Sequence, residues 1–123
     1  MALGNTFGNS VINWARNVAF PTQIATPFAS LHTADPGATG ASEGTFDARI
    51  AIELDAPSPD KQTQNTNLET FTGLGAETYT YCGLWSLASG GVFIGGGALA
   101  ASKTANAGDS AEFAVGALQF DLT

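Results

Sequence analysis

The sequence is short of charge. Charged residues make up 12% of its 123 positions, about half the share of an average soluble domain. Only four are basic, Arg16, Arg49, Lys61 and Lys103, against eleven acids, for a formal net charge of −7. Nucleic-acid binding draws on clustered lysine and arginine, as does adhesion to an anionic membrane surface, so neither partner is expected. There is no apolar run of the roughly 18 residues that a membrane-spanning helix needs. The opening Met1-Ala2-Leu3-Gly4 has neither the charged start nor the apolar stretch of an export signal, and synthesis in a cytoplasm is expected. Cysteine and histidine occur once each, as Cys82 and His32. A lone cysteine excludes an internal disulfide, and one Cys with one His falls short of a four-ligand zinc site.

What is abundant is small and uncharged. Hydrophobic residues reach 44%, enough for a single domain of this length to bury its own core. The surface is then built from Thr, Ser, Asn, Gly and Ala, a composition suited to being covered by identical neighbours, because few charges have to be desolvated.

Periodicity divides the chain in two. In residues 1–20, Phe7, Val11, Ala15 and Val18 recur at helical spacing, which predicts a short helix capped near Asn5 or Thr6 and closed before Pro21. Gly8 and Asn9 weaken it, so it is expected to settle by docking and to serve as an anchor, with Phe7, Val11, Trp14 and Val18 as the candidate assembly contacts. Capping one open end of the sandwich is the alternative role for Phe7, Val11 and Val18.

From residue 21 to 123 the period becomes two, predicting an antiparallel β-sandwich, jelly-roll-like in its number and spacing of strands. Strands are expected at Phe28 to Thr33, at Phe46 to Leu54 and, more polar, at Thr66 to Thr72. A hairpin follows, Thr78 to Leu87 turning at Ala88-Ser89-Gly90-Gly91 into Val92 to Ala100. On its first strand Tyr79, Tyr81, Gly83, Trp85 and Leu87 share one face and Cys82 the other. Gly95-Gly96-Gly97 inside the second strand implies a bulge or a very close approach by a ring or another chain. Ala56-Pro57-Ser58-Pro59-Asp60 and the residues to Gln64 read as a loop. After a turn at Asn106-Ala107-Gly108-Asp109, the last strand changes parity between Phe113/Val115 and Leu118/Phe120/Leu122, which one bulge at Gly116 would reconcile. The expected core is Phe46, Ile50, Ile52, Leu54, Trp85, Leu118 and Phe120.

Candidate chemistry is sparse. Cys82 and His32 could form a nucleophile and base, but Cys82 has no activating basic neighbour in the sequence. Asp35, Glu43, Asp47, Asp55, Asp60, Asp109 and Glu112 fall near turns without calcium-loop spacing, and solvated loop charges account for them. The glycine clusters match no phosphate-binding fingerprint. Tyr79, Tyr81 and Trp85 could stack on sugar rings, yet their period of two beside apolar strands favours packing. No catalytic residue, cofactor or metal is expected.

Two stretches carry a resemblance. One is Ser30-Leu31-His32-Thr33-Ala34-Asp35-Pro36-Gly37, followed by Thr39-Gly40-Ala41. The other runs from Gly83-Leu84-Trp85 through Gly90-Gly91, Gly95-Gly96-Gly97-Ala98-Leu99, Ser102-Lys103-Thr104 and Gly108-Asp109 to Phe113 and Gly116-Ala117-Leu118. In this order, and with the N-terminal helix, they resemble a family of small bacteriophage virion proteins described as tail-fibre, minor tail, head-fibre and decoration proteins. The resemblance implies a β-sandwich with a structural role on the virion exterior, no active site, and the major capsid or tail protein as partner. The chain departs from it at Pro57 to Gln64, where Lys61 and polar residues replace an aromatic or Gly-rich segment. Capsid decoration or a head fibre is the leading expectation, with self-association in which a trimer is favoured. The alternative is a tail-fibre or tail-tip protein that binds a host carbohydrate.

Overall fold

A computed structural model describes residues 2–21, 23–45 and 48–121. Its elements are β1 (Ala2–Leu3), α1 (Asn5–Ala15), β2 (Phe28–His32), β3 (Ile50–Ala51), β4 (Gln62–Gln64), β5 (Glu69–Phe71), β6 (Thr78–Trp85), β7 (Phe93–Thr104), β8 (Ala111–Phe113) and β9 (Gln119–Asp121). Five strands form an antiparallel sheet in the order β1-β7-β6-β2-β3, and two ribbons, β4-β9 and β5-β8, make up the rest. The fold is all-β and sandwich-like, with one short N-terminal helix. Its main core lies between sheet and ribbons: Ala29, Leu31, Tyr79, Cys82, Leu84 and Ile94 from the sheet meet Phe71, Ala111, Phe113, Leu118 and Phe120 from the ribbons. Phe71 and Phe113 pack edge to face, 5.8 Å between ring centroids, the arrangement that ring quadrupoles prefer.

The other face of the sheet carries a second, polar-centred cluster roofed by the segment from Thr33 to Gly44. His32 and Ser30 are both 0% exposed. The His32 Nδ1–H donates to the Ala41 carbonyl at 2.7 Å, which leaves Nε2 to accept from the Ser30 hydroxyl at 2.6 Å. Ser30 Oγ in turn accepts the Trp85 Nε1–H at 2.9 Å. A carbonyl can only accept, and this assigns the histidine tautomer. The Arg49 guanidinium lies 3.5 Å from the Trp85 ring centroid, grips both Glu43 carboxylate oxygens and donates to the carbonyls of Leu87 and Gly90. The Ser30-to-Ala41 stretch is therefore a strand and its own roof, latched by Arg49.

Several expectations change. The alternation from Phe46 to Leu54 becomes a paired strand only at Ile50–Ala51, against Ala29 and Phe28 of β2. Phe46 and Asp47 lie outside the described residues, and Ala48 is exposed. Beyond Ala51 the backbone turns away from β2: Ile52 N bonds to Pro27 O, Leu54 bridges Asn65 and Asp55 N bonds to Gln64 O at the end of β4, so the segment passes from the sheet to the β4-β9 ribbon. Of the expected core, Ile52, Trp85, Leu118 and Phe120 are buried, and Ile50 and Leu54 are half-buried. The segment read as a loop up to Gln64 contains β4, which pairs with β9. In β6 an irregularity between Tyr79 and Tyr81 shifts the parity, because one displaced residue exchanges the faces. Tyr79 thus shares the main core with Cys82 and Leu84, while Trp85 lies on the opposite face and Leu87 is exposed.

The single bulged last strand is replaced by two strands with different partners, β8 on β5 and β9 on β4. A turn from Ala114 to Ala117 separates them and leaves Val115 60% exposed; Leu122 lies outside the described residues. Buried Asn65 pins this turn, its Nδ2 donating to the Ala114 and Asn67 carbonyls and its Oδ1 accepting the Leu118 N–H. The close approach expected at Gly95-Gly96-Gly97 is present at Gly96, where a Cβ would lie 2.4 Å from the Pro36 ring. The hairpin turn takes the left-handed backbone at Gly90 and Gly91, as expected.

Candidate assembly surface

The helix is held at its start. Gly4 donates to the Ile94 carbonyl at 2.7 Å and Asn5 to that of Ala38 at 3.0 Å, and a Cβ on Gly4 would collide with the Phe93 carbonyl oxygen. The residue entering the helix must therefore be glycine. This places the N-cap at Gly4, with no side-chain cap bond, rather than at Asn5 or Thr6. The preceding β1 pairs with Gly95 and Gly96 on the outer edge of β7.

The far end closes earlier than Pro21. Asn17 takes φ 67, Val18 N–H bonds to Asn13 O and Asn17 N–H to Trp14 O. This pair of bonds around a left-handed residue is the Schellman ending. Val18 consequently lies beyond the helix, not on its face.

The four candidate contacts split. Phe7 is half-buried and packs against the main core, with the Phe20 ring edge-on at 6.0 Å. Val11 is 37%, Trp14 64% and Val18 47% exposed, joined by Ile12 at 60% and Phe20 at 44%. Phe7, Val11 and Trp14 form one stripe by helical spacing that starts on the sandwich and ends in solvent. No helix residue is buried. Ile12 and Phe20 belong to this surface but escape the stripe: Ile12 falls off the helical period and Phe20 lies past the helix end.

The remaining candidates do not converge. His32 and Cys82 sit on neighbouring strands with opposite orientations, the thiol in the main core and the imidazole in the second cluster. Burial pushes the Cys82 thiol up to about 11, and burial likewise lowers His32. Ser30 and His32 have the short contact of a nucleophile and base, a pairing not anticipated, but both are sealed from solvent. Asp35 accepts from Gly37 N–H, Asp109 from Asn106 N–H and Asp55 from Gln64, while Glu43 serves Arg49. Among the described residues no three His, Cys, Asp or Glu side chains gather as metal ligands, and no helix is long and apolar enough to cross a membrane.

A family model described as podophage GP4 fiber I protein gp80 matches residues 2–121. No curated protein matches the chain.

Proposed function

The chain belongs to the podophage GP4 fiber I protein gp80 family, which makes it a fibre protein of the bacteriophage virion exterior, and on that premise we propose that it is a noncatalytic subunit that self-associates and is anchored by its N-terminal helix. The observation that carries this reading is the stripe ending at Val11 and Trp14, with Ile12 beside it, left in solvent on a helix tied down at Gly4 and Phe7. Exposed contiguous apolar surface marks a site of association. The fibre is built from a small ring of copies, a trimer by preference, on a charge-poor surface that lends itself to symmetric burial.

We place the fibre on the capsid, as a head fibre or decoration with the major capsid protein as its anchor. A tail-fibre tip that reads a host carbohydrate would present ring faces in its loops, whereas Trp85, Tyr79, Phe71 and Phe113 are buried and the exposed rings, Trp14 and Phe20, belong to the helix and the segment just after it, where Phe20 packs edge-on against Phe7. The sealed Ser30–His32 pair and the raised Cys82 thiol support a noncatalytic role, and four basic residues in the chain support one without nucleic acid or membrane.

The test is a triple variant, Val11→Ser with Ile12→Ser and Trp14→Ser, which leaves β1, Gly4 and Phe7 in place. Gold-labelled antibody on complemented particles should find the native chain on the capsid and the variant absent, although its unfolding midpoint is unchanged. Full occupancy by the variant would refute the anchor, and label confined to the tail would refute the placement.

A further inference from the structure

We propose that Glu69, Glu53, Asn67 and Thr26 form a calcium site that ties the loop before β2 and the segment after β3 to the start of β5. The site is independent of the reading of the helix as an anchor.

Glu69 stands where its strand calls for an apolar residue. It shares one side of β5 with Phe71 and is 8% exposed, where Phe71 is 0%. Its carboxylate has no hydrogen bond or ion pair with any described residue. Burial, and then the like charge of Glu53, push that carboxyl up. Arg16, Arg49 and Lys103 are engaged elsewhere, with Asn13, Glu43 and the Phe113 ring. A buried carboxylate is ordinarily paired, hydrogen-bonded or bound to a metal ion, and here the chain supplies neither of the first two.

Glu69 faces an open space of about 230 Å³ that Thr26, Ala51, Ile52, Glu53 and Asn67 also line. Backbone bonds fix its walls, Ile52 N–H to Pro27 O and Thr66 N–H to Glu53 O, both at 3.0 Å. Asn67 Nδ2 donates to Glu53 Oε2 at 3.0 Å, which leaves Glu53 Oε1 and Asn67 Oδ1 unpaired among the described residues. Every donor around the space is therefore an oxygen, and two of the side chains are carboxylates, the set that a hard cation takes. Thr26, Glu53 and Asn67 are exposed, so water completes the roughly six to eight oxygens of a calcium ion, whereas magnesium demands a near-ideal octahedron. The ion cancels the repulsion between the two acids and gives the buried one its partner. With two ionisable ligands and neutral oxygens for the rest, the site differs from a grouping of three His, Cys, Asp or Glu. So few charges put its Kd in the weak calcium range, about 10⁻⁴–10⁻³ M.

Calorimetric titration of the full chain with calcium chloride tests this, with thermal melting in EDTA and in about 5 mM calcium, above that Kd, as a second readout. The native chain should bind a single ion and melt higher in calcium. Glu69→Gln and Glu53→Gln should each weaken binding about tenfold or more, while Glu112→Gln, at an exposed acid on the neighbouring strand β8, should bind as the native chain does. In EDTA, Glu69→Gln should melt above the native chain because the repulsion is gone, and calcium should remove that advantage. The native titration needs no substitution and stands even where a variant fails to fold. Absence of both binding heat and a calcium-dependent rise in the native chain would overturn the site. A rise that both glutamine variants keep in full would overturn it too, because the ion would then only be screening the net charge of −7. Equally tight binding of magnesium would overturn the assignment to calcium.

Discussion

Ser30→Ala removes one oxygen and strands two groups. In the native fold Ser30 Oγ accepts from Trp85 Nε1 at 2.9 Å and donates to His32 Nε2 at 2.6 Å, with Ser30 and His32 both 0% exposed. Water cannot replace the hydroxyl from the strand side, because the Gly83 backbone closes it: even a Cβ there would lie 2.7 Å from Oγ. A buried donor or acceptor left without a partner costs about 1–3 kcal/mol. Two together put the loss at about 2–6 kcal/mol, a large part of the roughly 5–15 kcal/mol that a domain has. Urea unfolding followed by tryptophan fluorescence measures it, with Ser10→Ala as control. That exposed hydroxyl bonds only to the Thr6 carbonyl, and its loss should stay within about 0.5 kcal/mol. A Ser30→Ala loss below about 1 kcal/mol with an unchanged denaturant slope would refute the reasoning that this network is sealed and fully paired.

The same histidine makes stability depend on pH. Burial holds folded His32 below its ordinary value of 6.5, so the unfolded chain takes up a proton first; stability should be full above about pH 6.5 and fall as the pH drops, by at most about 1.4 kcal/mol per unit. It is the only histidine in the chain, so a thermal-melting profile flat from pH 7 to 6 would contradict the assignment. Glu69 has the opposite sign: burial, and then Glu53, push its carboxyl above 4.5, so in EDTA Glu69→Gln should raise the unfolding midpoint at pH 7, with the gain gone at pH 4. Asn65→Ala breaks the three side-chain bonds of a buried residue and should cost about 2–4 kcal/mol in urea unfolding, which a loss under about 1 kcal/mol would disprove.

Side-chain alternation found the burial of Ile52, Leu118 and Phe120, missed the exposure of Leu87 and Val115, and read backbone pairing poorly. Ile52 is as buried as its pattern requires, yet the strand around it shrinks to two residues, because β2 offers only Ile50–Ala51 a partner and the following residues turn to Pro27 and to the end of β4. Cys82 was given the wrong company because one irregularity at Thr80 exchanges faces downstream, and no composition signal marks it. The Gln62–Gln64 ladder is polar throughout and follows two prolines, so neither period nor propensity announces it. On the candidate surface, Phe7 and Val11 were legible as one helix face from spacing, with Trp14 beside it, whereas Val18, expected on that face, lies past the helix end. The division between anchored and exposed was not legible, since it depends on where Gly4 is lodged beneath Phe93. The Schellman ending was within reach: Asn17 is the residue type that tolerates φ > 0.

The tie at the base of the helix also decides how the subunit behaves under load. If α1 is the anchor as proposed, a pull on it bears on two connections at once: the chain that runs on from Ala15 into β2, and the non-covalent tie of β1 to β7, two residue pairs long, Ala2 with Gly96 and Leu3 with Gly95. Behind that tie, β7 is registered to β6 from Thr104 to Phe93. The short tie would give before the long register, so β1 would peel while the chain into β2 kept the helix joined to a folded sandwich.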